Sequence, residues 1–253
     1  MVLNVGGVIE TESWKRMADA LVLPWSPGQE GANAVADVIT GKVNPSGKLP
    51  MTFPIDFLDH PSSANFPYTY VNDGTPFGKA RTAASEKDVD FTNYEEGIWV
   101  GYRWFGTKGR EVSYPFGFGL SYTSFEYSAP VVKARKEGGF TASITVRNTG
   151  KVAGKEAVQL YVSAPDGGLE KPAMELKAFA KTGTLQPGQS QTLSFEVDAY
   201  DLASFNEANS RWETAAGTYT VKFAANAEDV RKEAQFKMAK AQNFEVTKGL
   251  FAR

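Results

Sequence analysis

Acid–base or nucleophilic chemistry needs titratable side chains held within hydrogen-bond reach of one another. The residues of this kind that stand out are Glu30, Glu95, Glu96 and His60. Glu95 and Glu96 are adjacent, and neighbours in an extended segment project to opposite faces, so the two cannot flank one scissile bond. Ion pairing with Arg103 or Arg110, or capping of loop amides, is the expected use of these two, with sugar contact as the alternative. Glu30 falls in the first turn of a predicted helix, where the helix dipole favours a carboxylate without any catalytic task. His60, the only histidine, precedes Pro61 in a predicted surface loop and has no serine-histidine-acid context. One histidine does not build a three-ligand zinc site without unusual carboxylate help. Gly6-Gly7 lacks the third glycine of a dinucleotide fingerprint and reads as a sharp turn at a strand end. No residue is therefore assigned as catalytic, cofactor-binding or metal-ligating, and no cofactor is expected.

Those side chains must be positioned by elements, and the pattern of elements changes twice along the chain. Residues 1–56 alternate strand and helix. Leu3 to Ile9 and Ala20 to Trp25 are apolar runs, Glu12 to Ala20 carries helical spacing, and Glu30 to Thr40 places Ala32, Ala34, Val35, Val38 and Ile39 along a helix that Gly41 closes. Two strand-helix units are too few to cover a parallel sheet, whose strands must be buried on both faces. The expectation is that the chain starts inside an α/β domain, with residues 1–56 poorly ordered, remodelled or buried against another copy.

From 57 to 122 the periodicity fades into a long connector rich in Pro, Gly, Ser and aromatic residues, a length that points to function or to wrapping over a larger surface. Gly117 and Gly119 mark tight turns with rings tucked beneath. Residues 123–253 turn to period two: Phe140, Ala142, Ile144 and Val146; Val158, Leu160 and Val162; Leu193, Phe195 and Val197; Tyr219, Val221 and Phe223. Turns such as Asn148-Thr149-Gly150-Lys151 and Gln186-Pro187-Gly188-Gln189 separate them. With Trp212 available for a core, this region reads as an all-β immunoglobulin-like sandwich, so the fold class is α+β overall.

Composition narrows the function classes. The net charge of −2 lacks the clustered Lys and Arg excess that phosphate neutralisation requires, so no nucleic-acid partner is expected. There is no cysteine, hence no disulfide framework, thiolate nucleophile or zinc-thiolate site, and redox chemistry does not report the compartment. The first residues have no signal-peptide pattern and read as a buried strand. No apolar stretch approaches a membrane span. Aromatic residues, 13% of the chain, crowd between Phe53 and Tyr127, which fits either sugar stacking or the packing of a connector onto its neighbours.

The motifs that set this chain apart are Asn44-Pro45-Ser46-Gly47-Lys48-Leu49-Pro50-Met51-Thr52-Phe53-Pro54 and Tyr94-Glu95-Glu96-Gly97-Ile98-Trp99-Val100-Gly101-Tyr102-Arg103-Trp104-Phe105. With Pro27-Gly28-Gln29-Glu30-Gly31, Pro115-Phe116-Gly117-Phe118-Gly119-Leu120-Ser121-Tyr122, Val146-Arg147-Asn148-Thr149-Gly150, Ala153-Gly154-Lys155-Glu156, Gln159-Leu160-Tyr161-Val162 and Leu176-Lys177-Ala178-Phe179, they occur in the order found in glycoside hydrolases of family 3. The chain resembles the C-terminal portion of such an enzyme, of the β-glucosidase and β-xylosidase type. Two small departures are Ala32 and Ala178, where glycine is common.

The resemblance implies a remnant of an α/β sandwich domain (1–56), an aromatic connector (57–122) and a fibronectin type III-like β-sandwich (123–253). It also implies a parent that hydrolyses β-linked glucosides or xylosides by a retaining mechanism, which needs two carboxyl groups about 5 to 5.5 Å apart. In the family these are an aspartate on a barrel domain and a glutamate on the sandwich domain, both ahead of Met1, and no residue of this chain matches either motif. The chain alone is expected to be inactive and structural, with a carbohydrate-binding or dimerisation module as the alternative. The implied partners are the missing N-terminal barrel and sandwich portion, a β-linked oligosaccharide or glucoside in the parent enzyme, and, as a further option, a second copy in a homodimer. A periplasmic or secreted location is the expectation. Trp99, Tyr102, Trp104 and Phe105, read as a strand, form either a sugar platform or a latch fastening the connector to the α/β sandwich domain.

Overall fold

The computed structural model describes residues 1–64 and 94–246. The parts of the predicted connector at 65–93 and the terminal stretch 247–253 lie outside the described residues.

The period-two region forms two facing antiparallel sheets. In one, β12 (Asp229–Met238), β11 (Gly217–Asn226), β6 (Ala157–Ser163) and β7 (Glu175–Lys181) lie in that order. In the other, β5 (Phe140–Asn148) pairs along one edge with β3 (Phe125–Tyr127) and β4 (Val131–Ala134), and along the other with β8 (Ser190–Val197). Alternation puts Phe140, Ile144 and Val146 of one sheet against Val158, Leu160, Val221 and Phe223 of the other, all at 0–1% exposure. Each such side chain contributes about 1.5–3 kcal/mol by leaving water. Rings interdigitate across the layer, with Phe140 and Phe236 centroids 4.7 Å apart and Phe195 and Phe223 5.9 Å apart. The core expected from the strand spacing is the core observed, with one exception. Trp212 is only half-buried and lies in a small sheet of β9 (Ser204–Asn206), β10 (Arg211–Thr214) and β13 (Gln242–Glu245), packed on Tyr200 and Phe205. It fills a satellite cluster beside the main core.

The N-terminal segment is more sparsely ordered than its apolar runs predict. The two runs lie side by side in parallel, but their pairing reduces to one bridge, Val2 with Val22, flanked by Leu3 N–H to Val22 O and Val22 N–H to Met1 O, both at 2.9 Å. Strands of a parallel sheet gain their stability from neighbours on both edges and cover on both faces, and among the described residues these have one neighbour. The helix predicted over Glu12 to Ala20 shrinks to a 3-10 turn at Lys15–Met17. Local side-chain bonds compete with the helix there: the Glu10 carboxylate accepts from Ser13 N–H and Oγ–H, and the Trp14 indole N–H donates to Glu10 O. The second helix forms as expected, as α1 (Gly31–Ile39), and Gly41 closes it at φ +74°, where glycine bears no Cβ penalty. Only Gly31 of α1 is buried.

The connector returns to the N-terminal segment. α2 (Tyr102–Lys108) takes in Tyr102, Trp104 and Phe105, which read in the sequence as part of a strand; Gly101 precedes it and Gly109, left-handed at φ +61°, ends it. β1 (Phe53–Pro54) then pairs with β2 (Val112–Tyr114). Trp25, Phe53, Tyr114 and Phe118 form a chain of ring contacts with centroid spacings of 5.2–6.2 Å. Phe53 is its buried centre.

Candidate functional site

Several of the motifs quoted from the sequence meet at one junction, where the N-terminal segment and connector lie on the outer face of the β-sandwich. Strand β6 shows this most directly. Val158, Leu160 and Val162 face the core, yet the outward residues Gln159 and Tyr161 are buried too. Gln159 Nε2 donates to Gly117 O at 3.1 Å and to Ala225 O at 2.8 Å, while its Oε1 accepts from Tyr161 O–H at 2.7 Å. Burial pushes the Tyr161 phenol up, so it stays a donor. A Cβ on Gly117 (φ +79°) would overlap the Gln159 amide, so glycine is required on both counts.

The Asn44-to-Pro50 motif clamps the same junction. Asn44 Nδ2 donates to Ala153 O at 2.9 Å, and its Oδ1 accepts from Ser121 Oγ–H at 3.0 Å and Tyr122 N–H at 2.8 Å. Leu49 exchanges backbone hydrogen bonds of 2.8 Å with Gly117 and Phe118. Lys48 Nζ lies 3.3 Å from Gly119 O and 3.7 Å from the buried Glu156 carboxylate. Glu156 also accepts from Tyr127 O–H at 2.9 Å; desolvation first, and then that carboxylate, push the Tyr127 phenol far above its ordinary value. Buried Asn148, from the Val146-to-Gly150 motif, uses both ends of its amide, accepting from Thr123 Oγ–H and Gly150 N–H and donating to Val152 O and Leu185 O.

Part of the aromatic cluster is fastened to the β-sandwich. The Tyr102 ring packs on Phe116 at 4.9 Å and edge-on to Tyr161 at 5.7 Å, and its hydroxyl accepts from Leu176 N–H at 2.9 Å. Thr107 Oγ1 accepts from Ala173 N–H at 2.8 Å, again on the β-sandwich. Trp104 points the other way, donating its indole N–H to Asp59 O at 2.9 Å. Lys108 sits 4.5 Å from the Trp99 ring centroid and Arg110 5.4 Å from that of Trp104. Each indole therefore has one face engaged by a cation.

The remaining sequence candidates are placed as follows. Glu30 is the N-cap residue of α1 and holds Asn33 Nδ2 at 2.6 Å, a local structural contact. Glu95 is exposed and Glu96 half-buried. Among the described residues the expected ion-pair partners are taken up elsewhere: Arg103 lies 3.6 Å from Glu175 and Arg110 3.4 Å from Asp59. His60 is not a surface histidine; it is half-buried, edge-on to Phe105 at 5.3 Å and near Phe57, and burial holds its pKa below the ordinary value. Among the described residues no cluster of three or more His, Asp or Glu side chains could hold a metal ion, and no helix is long and apolar enough to cross a membrane.

Thr52, Gln159, Asn148 and Glu156 do not stand out individually in the sequence, although each lies within or beside one of the motifs above. The available signal was a polar residue inside an apolar strand run, which is buried only if something pairs with it. Thr52 is the exception: it is 4% exposed, and its Oγ1 has no hydrogen-bond partner among the described residues.

A fibronectin-like sandwich carrying an α/β segment and an aromatic latch on its outer face defines the class, and the comparisons give the family. Residues 1–122 match the glycosyl hydrolase family 3 C-terminal domain, and residues 156–227 match the fibronectin type III-like domain. Beta-glucosidase A of Butyrivibrio fibrisolvens is 38% identical over 91% of this chain, and the exo-alpha-(1->6)-L-arabinopyranosidase of Bifidobacterium longum is 36% identical over 91%. The solved structure of beta-glucosidase 3B from Thermotoga neapolitana in complex with glucose superposes with a TM-score of 0.84 at 40% identity, covering 97% of this chain and 32% of that one. The chain belongs to glycoside hydrolase family 3 and corresponds to the C-terminal portion of its members. It spans about 28% of the length of the curated relatives it matches.

Proposed function

We propose that this chain is the scaffolding C-terminal part of a retaining β-glycosidase acting on β-linked glucosides or xylosides, and that the catalytic carboxylates are supplied by sequence outside it. The observation that carries this reading is the junction. Asn44, Lys48, Gln159 and Tyr102 all join the N-terminal segment or connector to neighbouring backbone and to the β-sandwich. Side chains spent on such contacts fix the orientation of one part on another, which an active site shared between domains requires. The division into a 1–56 remnant, a 57–122 connector and a 123–253 β-sandwich belongs to the same proposal. Substrate choice does not follow from this region, since relatives matching it equally well carry the names of a glucosidase and an arabinopyranosidase.

The test is complementation. A family 3 β-glucosidase shortened by the region this chain matches is mixed with the chain; a stable complex and aryl β-glucosidase activity appearing only in the mixture are expected. Neither complex nor activity would contradict the scaffold reading.

A second reading, self-association, is supported by the apolar side chains that the N-terminal segment and the start of the connector leave exposed. Met17 is 84% exposed and Leu58 73%, with Ile39 and Phe57 above half. Such a surface seeks a cover. Sedimentation of the chain alone should show a dimer that dissociates on dilution, and a monomer at all concentrations would rule the dimer out.

A further inference from the structure

Two adjoining clefts open at the junction, of about 470 and 450 Å³, each within the size range of small-molecule sites. They share a wall made of Thr52, Tyr102 and Phe116. One adds Lys222 and Glu228 and the other His60 and Arg103. We propose that this two-lobed groove binds a neutral polyhydroxylated ligand of one or two sugar rings, stacked on the Tyr102–Phe116 pair and hydrogen-bonded to Thr52.

The ligand class follows by elimination. An anion needs unneutralised positive charge, but Arg103 faces Glu175 at 3.6 Å and Lys222 faces Glu233 at 4.0 Å. A cation needs clustered ligands, and none occur among the described residues. A wholly apolar ligand would desolvate Lys222 and Glu228 and leave Thr52 Oγ1 as unpaired as it is now. A pyranose supplies what these walls lack: an apolar face for the rings, and hydroxyls that both donate and accept without carrying charge. Thr52 lines both clefts, and its Oγ1 has no hydrogen-bond partner among the described residues. The inference stands apart from the scaffold reading, because binding is read on this chain alone.

The experiment is a titration of the full chain with cellobiose, followed by backbone amide NMR shifts, on the wild type and on Thr52→Val. The substitution keeps shape and removes the unpaired hydroxyl, so the variant should fold with an unchanged or higher denaturation midpoint. The proposal expects saturating shifts at Thr52, Tyr102 and Ala227, with affinity about fivefold weaker in T52V, the effect of one neutral hydrogen bond. Shifts that do not saturate, shifts confined to other regions, or equal affinity in the two proteins would overturn it. Saturation by sodium sulfate in place of cellobiose would overturn the ligand class.

Discussion

Lys48 Nζ lies 3.7 Å from the buried Glu156 carboxylate and 3.3 Å from Gly119 O, so one side chain joins the N-terminal segment, the connector and the β-sandwich. Both partners are largely withdrawn from water, with side-chain exposures of 16% and 9%. Removing one partner of such a pair leaves the other charge buried and uncompensated. Lys48→Met should therefore lower stability by about 3 kcal/mol, read as a drop in urea midpoint. Lys48→Arg, which keeps the charge, should recover most of it.

Tyr102 holds α2 to strand β7 through the Leu176 amide. Tyr102→Phe keeps the ring contacts with Phe116 and Tyr161 and deletes only the acceptor. The expected loss is about 1 kcal/mol, with faster hydrogen exchange at the Leu176 amide as the local reporter.

Gly117 combines a left-handed backbone with direct contact to Gln159. Gly117→Ala should cost about 2–4 kcal/mol, from the backbone penalty together with displacement of the Gln159 amide. Gly28, also left-handed but with open space where a Cβ would sit, should lose less on the same change, and the difference in melting temperature measures the Gln159 contribution.

His60 gives a pH dependence whose sign is set by burial. Desolvation lowers its folded pKa below the unfolded value of 6.5, so the unfolded chain takes up the proton first and stability rises with pH in that window. The contribution is fully present above pH 6.5 and is lost as pH falls through 6.5 toward the folded pKa. His60→Asn should flatten this part of the stability profile, measured as urea midpoints across the window in both proteins.

The β-sandwich was legible because one-face burial imposes period two. Phe140, Ile144 and Val146 declare their side of the sheet by alternation alone. The N-terminal helix at Glu30 to Thr40 was legible through Gly41, a local signal that tertiary contacts did not override. Tyr102 to Lys108 reads as extended because aromatic residues favour strands, yet packing against Phe116, Tyr161 and His60 decides it as a helix. Gly109 was the overlooked helix-ending signal. Gln159 and Glu156 were illegible for a different reason. Their partners, Gly117 and Lys48, lie 42 and about a hundred residues away in sequence, and no periodicity reports contacts at that separation.

As a scaffold, this chain would not complete a glycosidase site with its own side chains. Incubating the purified chain with aryl β-glucosides tests that most directly. Release of the aryl alcohol at the buffer-blank rate is the predicted result; turnover above the blank that survives a second purification and follows the chain through the column would contradict it.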